Sequence, residues 1–143
     1  LMREYVETYK NKPTTVDDFE KLAGKVNGED LSWFFSQWID RTVFAHYKVD
    51  VEVGEKPEGA SGFRVKVTIT QPDDLVKMPA DVTLIGVAGE RQVVANVMLD
   101  KREQVVEVVC AFRPVQVIVD EGGWVLKRPG SDNIWPKVET KTK

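Results

Sequence analysis

The sequence predicts a mainly β fold, an antiparallel β-sandwich of about seven strands preceded by a short α-helical segment, and three observations carry that expectation. The apolar period changes once along the chain: residues 1–41 repeat their large side chains at helical spacing, and residues 45–126 alternate apolar and polar side chains. The alternating half is cut by glycine, proline and paired polar residues about every 8–12 residues, with no helical stretch between the cuts. Finally, 42% hydrophobic residues in a chain of 143 supply a real core for one domain, or for one domain with an appended piece.

The helical half comes first. Met2 to Tyr9 carry the pattern of a short helix that Asn11-Lys12-Pro13 breaks. Behind the N-cap candidates Thr14 and Thr15, residues Val16, Phe19, Leu22, Ala23 and Val26 recur at helical spacing, and Asn27-Gly28 supplies a left-handed stop. A further helix starts near Asp30 and lays Leu31, Phe34, Phe35, Trp38 and Ile39 along one stripe, with Trp33 and Gln37 off it. Each aromatic buries about 150–250 Å², so short helices cannot cover such a stripe among themselves. Trp33, Phe34, Phe35 and Trp38 are therefore the candidate contacts toward a neighbouring domain, with the following strands supplying part of the surface.

The strand half alternates from Ala45 through Tyr47, Val49, Val51 and Val53, and again through Phe63, Val65, Val67 and Ile69. Gly54 to Gly62 is the turn-rich loop between them. Further strands are expected at Ala80 to Val87, Gln92 to Leu99, Gln104 to Phe112, Val115 to Val119 and Gly123 to Leu126, with Pro114 between strands or on an edge. Strands that are short, evenly cut and uninterrupted by helices favour an immunoglobulin-like arrangement over a parallel sheet. The expected organisation is a helical segment at 1–42, a sandwich at 43–128 and a polar, flexible tail at 129–143. A chain that opens on Leu1 within a helical pattern is expected to start inside a longer polypeptide.

A net charge of −3, from 20 basic and 23 acidic residues interspersed along the chain, gives no basic stripe for a phosphate backbone, and nucleic acid is not an expected partner. No apolar run approaches the roughly 20 residues needed to span a bilayer, and no signal-peptide pattern opens the chain. One His and one Cys fall short of a nitrogen- or sulfur-rich zinc site, and Cys110 reads as a small buried hydrophobe. His46 reads as a solvated or edge-contacting side chain, and nothing near it marks a nucleophile and its base. The pairs Asp17-Asp18 and Glu29-Asp30 fall at expected helix starts, where negative charge complements the macrodipole. Asp73-Asp74 reads as a turn after Gln71-Pro72, and Asp120-Glu121-Gly122-Gly123 as a tight connection between strands. No phosphate-cradling glycine motif occurs. Trp124 reads as a core or sheet-edge residue, with an aromatic platform formed with Trp135 as the alternative.

Thr15-Val16-Asp17-Asp18-Phe19, followed by Asn27-Gly28-Glu29-Asp30-Leu31-Ser32-Trp33-Phe34-Phe35-Ser36-Gln37-Trp38, resembles the end of the catalytic domain in gluzincin aminopeptidases of the membrane alanyl aminopeptidase type. The later stretches Gly62-Phe63-Arg64-Val65, Met78-Pro79-Ala80, Arg113-Pro114, Val119-Asp120 and Trp124-Val125-Leu126-Lys127 are similar to the β-sandwich that follows in that family, so the likeness spans roughly residues 14–128. It departs at Val43 and Ala45, where the family has Gly and Pro, and at Glu121, where it has Pro. The resemblance implies a parent that holds one zinc ion through H-E-x-x-H and a downstream Glu, none of which lies in this chain. What it implies here is a non-catalytic structural region whose partner is the absent catalytic domain, with no catalytic, cofactor-binding or metal-binding residue and no cofactor of its own. The alternative expectation is an independent sandwich module that binds a peptide, glycan or partner protein through its loops or Trp124.

Overall fold

A computed structural model describes residues 1–56, 59, 61–130 and 132–137. The chain forms two compact units, Leu1–Val43 and Phe44–Lys143.

The first unit holds helices α1 (Met2–Tyr9), α2 (Val16–Asn27) and α3 (Ser32–Trp38). Helix α2 starts on a capping box: Thr15 Oγ1 accepts from the Asp18 N–H at 3.2 Å, and the Asp18 carboxylate accepts from the Thr15 N–H at 2.9 Å. It ends at Gly28, whose φ of 79° is the left-handed conformation glycine adopts without strain. Asp30 lies outside α3, because its carboxylate accepts from the Ser32 N–H at 2.9 Å and the helix begins there. The expected α3 stripe divides. Phe35 is buried, with its ring 5.9 Å from Phe19 of α2, whereas Phe34 is 36% and Ile39 59% exposed. Gln37, off the stripe in the sequence, is buried. A helix of seven residues makes barely two turns, so it turns only a narrow arc toward its neighbour.

The second unit is two antiparallel sheets. One has the order β1-β2-β5, from β1 (Lys48–Val53), β2 (Phe63–Thr70) and β5 (Glu103–Cys110). The other has the order β4-β3-β6-β7, from β3 (Met78–Gly86), β4 (Arg91–Leu99), β6 (Pro114–Val119) and β7 (Ile134–Trp135). Among the described residues the chain is thus a mixed α/β protein, with seven strands in two sheets that follow the helical segments in sequence. Alternation sets the register. Val49, Val51 and Val53 pair with Ile69, Val67 and Val65, so one face of that sheet is continuous valine and isoleucine. Val82 and Leu84 pair with Val119 and Val117 in the other sheet, all fully buried. Gly62 leads into β2 where a Cβ would collide with the main-chain carbonyl of Cys110, so hydrogen is the only side chain that fits.

Two expected strands are corrected. The first was to start at Ala45, but the ladder starts at Lys48, and Ala45 instead forms an isolated parallel bridge with Lys127. The last was to be Gly123 to Leu126. That stretch forms no strand, because Asp120 takes the Trp124 and Val125 N–H groups at 2.9 and 3.2 Å, and Gly123 adopts a φ of 68°. The seventh strand is β7, from the stretch after Arg128 that reads as a polar tail. Residues 138–143 of that tail lie outside the described residues.

Candidate functional site

Three features stand out: the aromatic surface of the helical unit, a turn that displays Trp124, and a charged corner around His46.

In the helical unit the rings of Trp33 and Phe34 lie 5.8 Å apart, as do those of Phe34 and Phe35, and Phe35 continues through Phe19 to Tyr5. The contacts are edge-to-face, which aromatic quadrupoles prefer. Of the four candidate contact residues, Trp33, Phe34 and Phe35 are thus joined ring to ring. Phe35 is core, Phe34 is exposed, and Trp33 and Trp38 are half-buried. Trp38 Nε1 is enclosed with no hydrogen-bond partner among the described residues.

Trp124 is not a core residue. It is 86% exposed, at the tip of a turn whose base is rigid. Asp120, 3% exposed and at a φ of 54°, accepts from the Trp124 and Val125 N–H groups and from the Lys127 ammonium. Buried charge is tolerated there because it is paired and hydrogen-bonded. Burial first, and the Asp120 charge second, push the Tyr47 hydroxyl above its ordinary range. Trp124 and Trp135 are dissimilar in setting: Trp135 is half-buried in β7.

The charged corner was not legible locally. His46 Nδ1 donates to Asp73 Oδ2 at 2.8 Å, and Arg128 donates to the same oxygen at 2.6 Å. Asp73, read as a turn residue, is the acceptor that joins them. The hydrogen bond from His46, and then the charge of Arg128, hold its carboxyl below the ordinary value of 3.8. A lowered folded-state value means that Asp73 contributes stability above the unfolded value, lost as pH falls through the folded one. The same sign holds for Asp132, through Lys137, and for Glu121, through Arg91. Urea-unfolding midpoints are therefore expected to be flat in pH down to the ordinary carboxylate range and to fall below it. Asp73→Asn is expected to shallow that fall, and an unchanged slope would show that Asp73 takes no part.

At one end of β1-β2-β5 an open groove of about 600 Å³ is lined by Glu52, Arg64, Lys66 and Glu107 together with valines from all three strands. Lys66 lies 3.4 Å from Glu52 and opposite Glu107 in register, so opposite charges offset one another and neither sign of ligand is favoured. Among the described residues no three His, Cys, Asp or Glu side chains gather closely enough to hold a metal ion. At His46 the acceptor oxygen is shared with the Arg128 guanidinium, and Cys110 is buried in β5, so these residues do not fit a catalytic zinc. No described helix is long and apolar enough to cross a membrane.

No protein-family model matches the chain, and no curated protein or solved structure matches it.

Proposed function

We propose that this chain is a non-catalytic part of a larger zinc aminopeptidase of the gluzincin class. In this reading residues 1–43 are the end of the catalytic domain, and the two-sheet unit is an immunoglobulin-like β-sandwich that buttresses it. The observation that carries the reading is the incomplete cover of the helical unit. Met2, Val6, Val16, Val26, Phe34 and Ile39 all stay exposed on a unit of only three short helices. Apolar side chains left exposed on every helix of so small a body support a site of association. Phe34, exposed, and the half-buried Trp33 packed edge-on against it supply the large aromatic anchors such a contact uses, with Phe35 holding Phe34 from the core side. Zinc and the groups that activate its water belong to the rest of the parent.

With zinc supplied, the purified chain is expected to release no amino acid from alanyl or leucyl p-nitroanilide. The chain extended through its upstream coding sequence is expected to do so, and to stop on chelation. Release by the chain alone would sink the reading, as would an upstream sequence without H-E-x-x-H.

A second reading, an independent binding module, is favoured by Trp124 alone, since an indole 86% exposed on a rigid turn is a ready contact. Chemical-shift changes confined to residues 120–126 on adding a peptide or glycan, with no catalytic domain encoded upstream, would select it instead.

A further inference from the structure

We propose that Asp73 is the keystone of an ionic latch that fastens the segment Phe44–His46, where the two-sheet unit begins, to the chain stretch Leu126–Asp132. Every group in the latch belongs to that one unit, so it stands apart from the peptidase reading. Three stretches distant in sequence, those of His46, Arg102 and Arg128, converge on the loop that carries Asp73. His46 and Arg128 both donate to its Oδ2, at 2.8 and 2.6 Å. Arg102 donates to the carbonyls of Gln71 and Pro72 at 3.3 Å and to that of Asp73, fixing the loop from the other side. Lys48 and Asp132 form an isolated bridge beside it, and their charges act on the same corner.

Beneath this polar layer lie two main-chain hydrogen bonds, Ala45 N–H to the Leu126 carbonyl at 3.0 Å and Arg128 N–H to the Ala45 carbonyl at 2.8 Å. They belong to one of two isolated parallel bridges between these stretches, Ala45 with Lys127 and Lys48 with Asp132, and neither extends into a ladder. Ala45 is itself fully buried and Lys127 is paired with Asp120, so the ion pairs at Asp73 add to that packing and set how often the bridge opens. Asp73 and Arg128 are partly exposed, so the latch is weak enough to open while the sheets stay folded. Tyr47, fully buried, pins the next residue. Opening thus frees Phe44–His46 and stops there. Closed, the latch holds Phe44–His46 against Leu126–Asp132; open, it releases those three residues from that stretch.

Hydrogen exchange on the whole chain tests this residue by residue. In Asp73→Asn the amides of Ala45 and Arg128 are expected to exchange about two- to fivefold faster, as loss of a partly exposed charged pair implies. Amides of Val67 and Leu84, in the central strands β2 and β3, are expected to hold their rates. Unchanged exchange at Ala45 and Arg128 would overturn the latch, and so would an equal rise at all four amides, which reports global loss of stability. Should Asp73→Asn fail to fold, the unmodified chain in about 1 M salt gives the same reading, because exposed pairs are screened at that ionic strength. Faster exchange confined to Ala45 and Arg128 supports the latch, and none overturns it.

Discussion

Replacing Asp120 with alanine is expected to cost the two-sheet unit about 3–5 kcal/mol, the range for removing one partner of a buried charged pair. Asp120 is 3% exposed and the Lys127 ammonium beside it is mostly enclosed, so the lysine would be left with charge and no counter-charge. Two main-chain donors, the N–H groups of Trp124 and Val125, would lose their acceptors in the same step. Asn at this position tolerates the left-handed backbone and keeps one carbonyl acceptor, so Asp120→Asn is expected to cost about half as much. Urea midpoints at neutral pH read both. A loss below about 1 kcal/mol for the alanine variant would show that the turn is held by something other than this carboxylate.

The second large effect is expected at Gln71, 1% exposed in the loop after β2. Its Oε1 accepts from the Val76 N–H at 3.0 Å, while its Nε2 donates to the carbonyls of Val76 and Lys101 at 3.2 and 3.4 Å. One side chain thereby staples the two buried ends, Gln71 and Val76, of a loop whose middle is largely exposed. Gln71→Glu keeps the shape and exchanges the donor for an anion that faces two carbonyls. The expected loss is about 3–5 kcal/mol at neutral pH. The sign of its pH dependence follows from burial, which raises the carboxyl's folded-state value above the unfolded one. Stability is then recovered as pH falls and the neutral acid can donate again, and it is lost as pH rises. Denaturant midpoints across the acid range would show a variant that gains on the parent as pH falls. A constant difference would mean that the new carboxylate reaches water.

Much of the fold was legible because alternation reports directly on which face is buried. Phe63 to Thr70 shows the case: its apolar positions are the ones the register turns inward, against Val49 to Val53. The start of α2 at Thr14 or Thr15 and the Gly28 stop were legible for the same local reason, and the structure resolves the start to Thr15, in a capping box with Asp18. Gly123 to Leu126 misled because Trp, Val and Leu look like strand residues, while the competing acceptor, Asp120, withdraws their N–H groups from any ladder. Ile134–Trp135 was missed because two apolar residues in a polar stretch carry too little pattern to show a period. The corner at Asp73 was out of reach for another reason. Its partners lie 27 and 55 residues away, and no local pattern records that those loops meet. The ring contacts of Trp33, Phe34 and Phe35 follow from short-range helical geometry, but which of them faces inward depends on where Phe19 stands in α2.

The exposed indole at Trp124 also makes the four tryptophans unequal as fluorophores. Its emission is already that of a water-bathed ring in the native state, so denaturation leaves it nearly unchanged. Trp33 and Trp38 in the helical unit and Trp135 in the last strand are half-buried, and their emission is expected to move to longer wavelength as each unit melts. Single-tryptophan variants therefore give separate optical signals for the two bodies, with Trp124 as an internal standard.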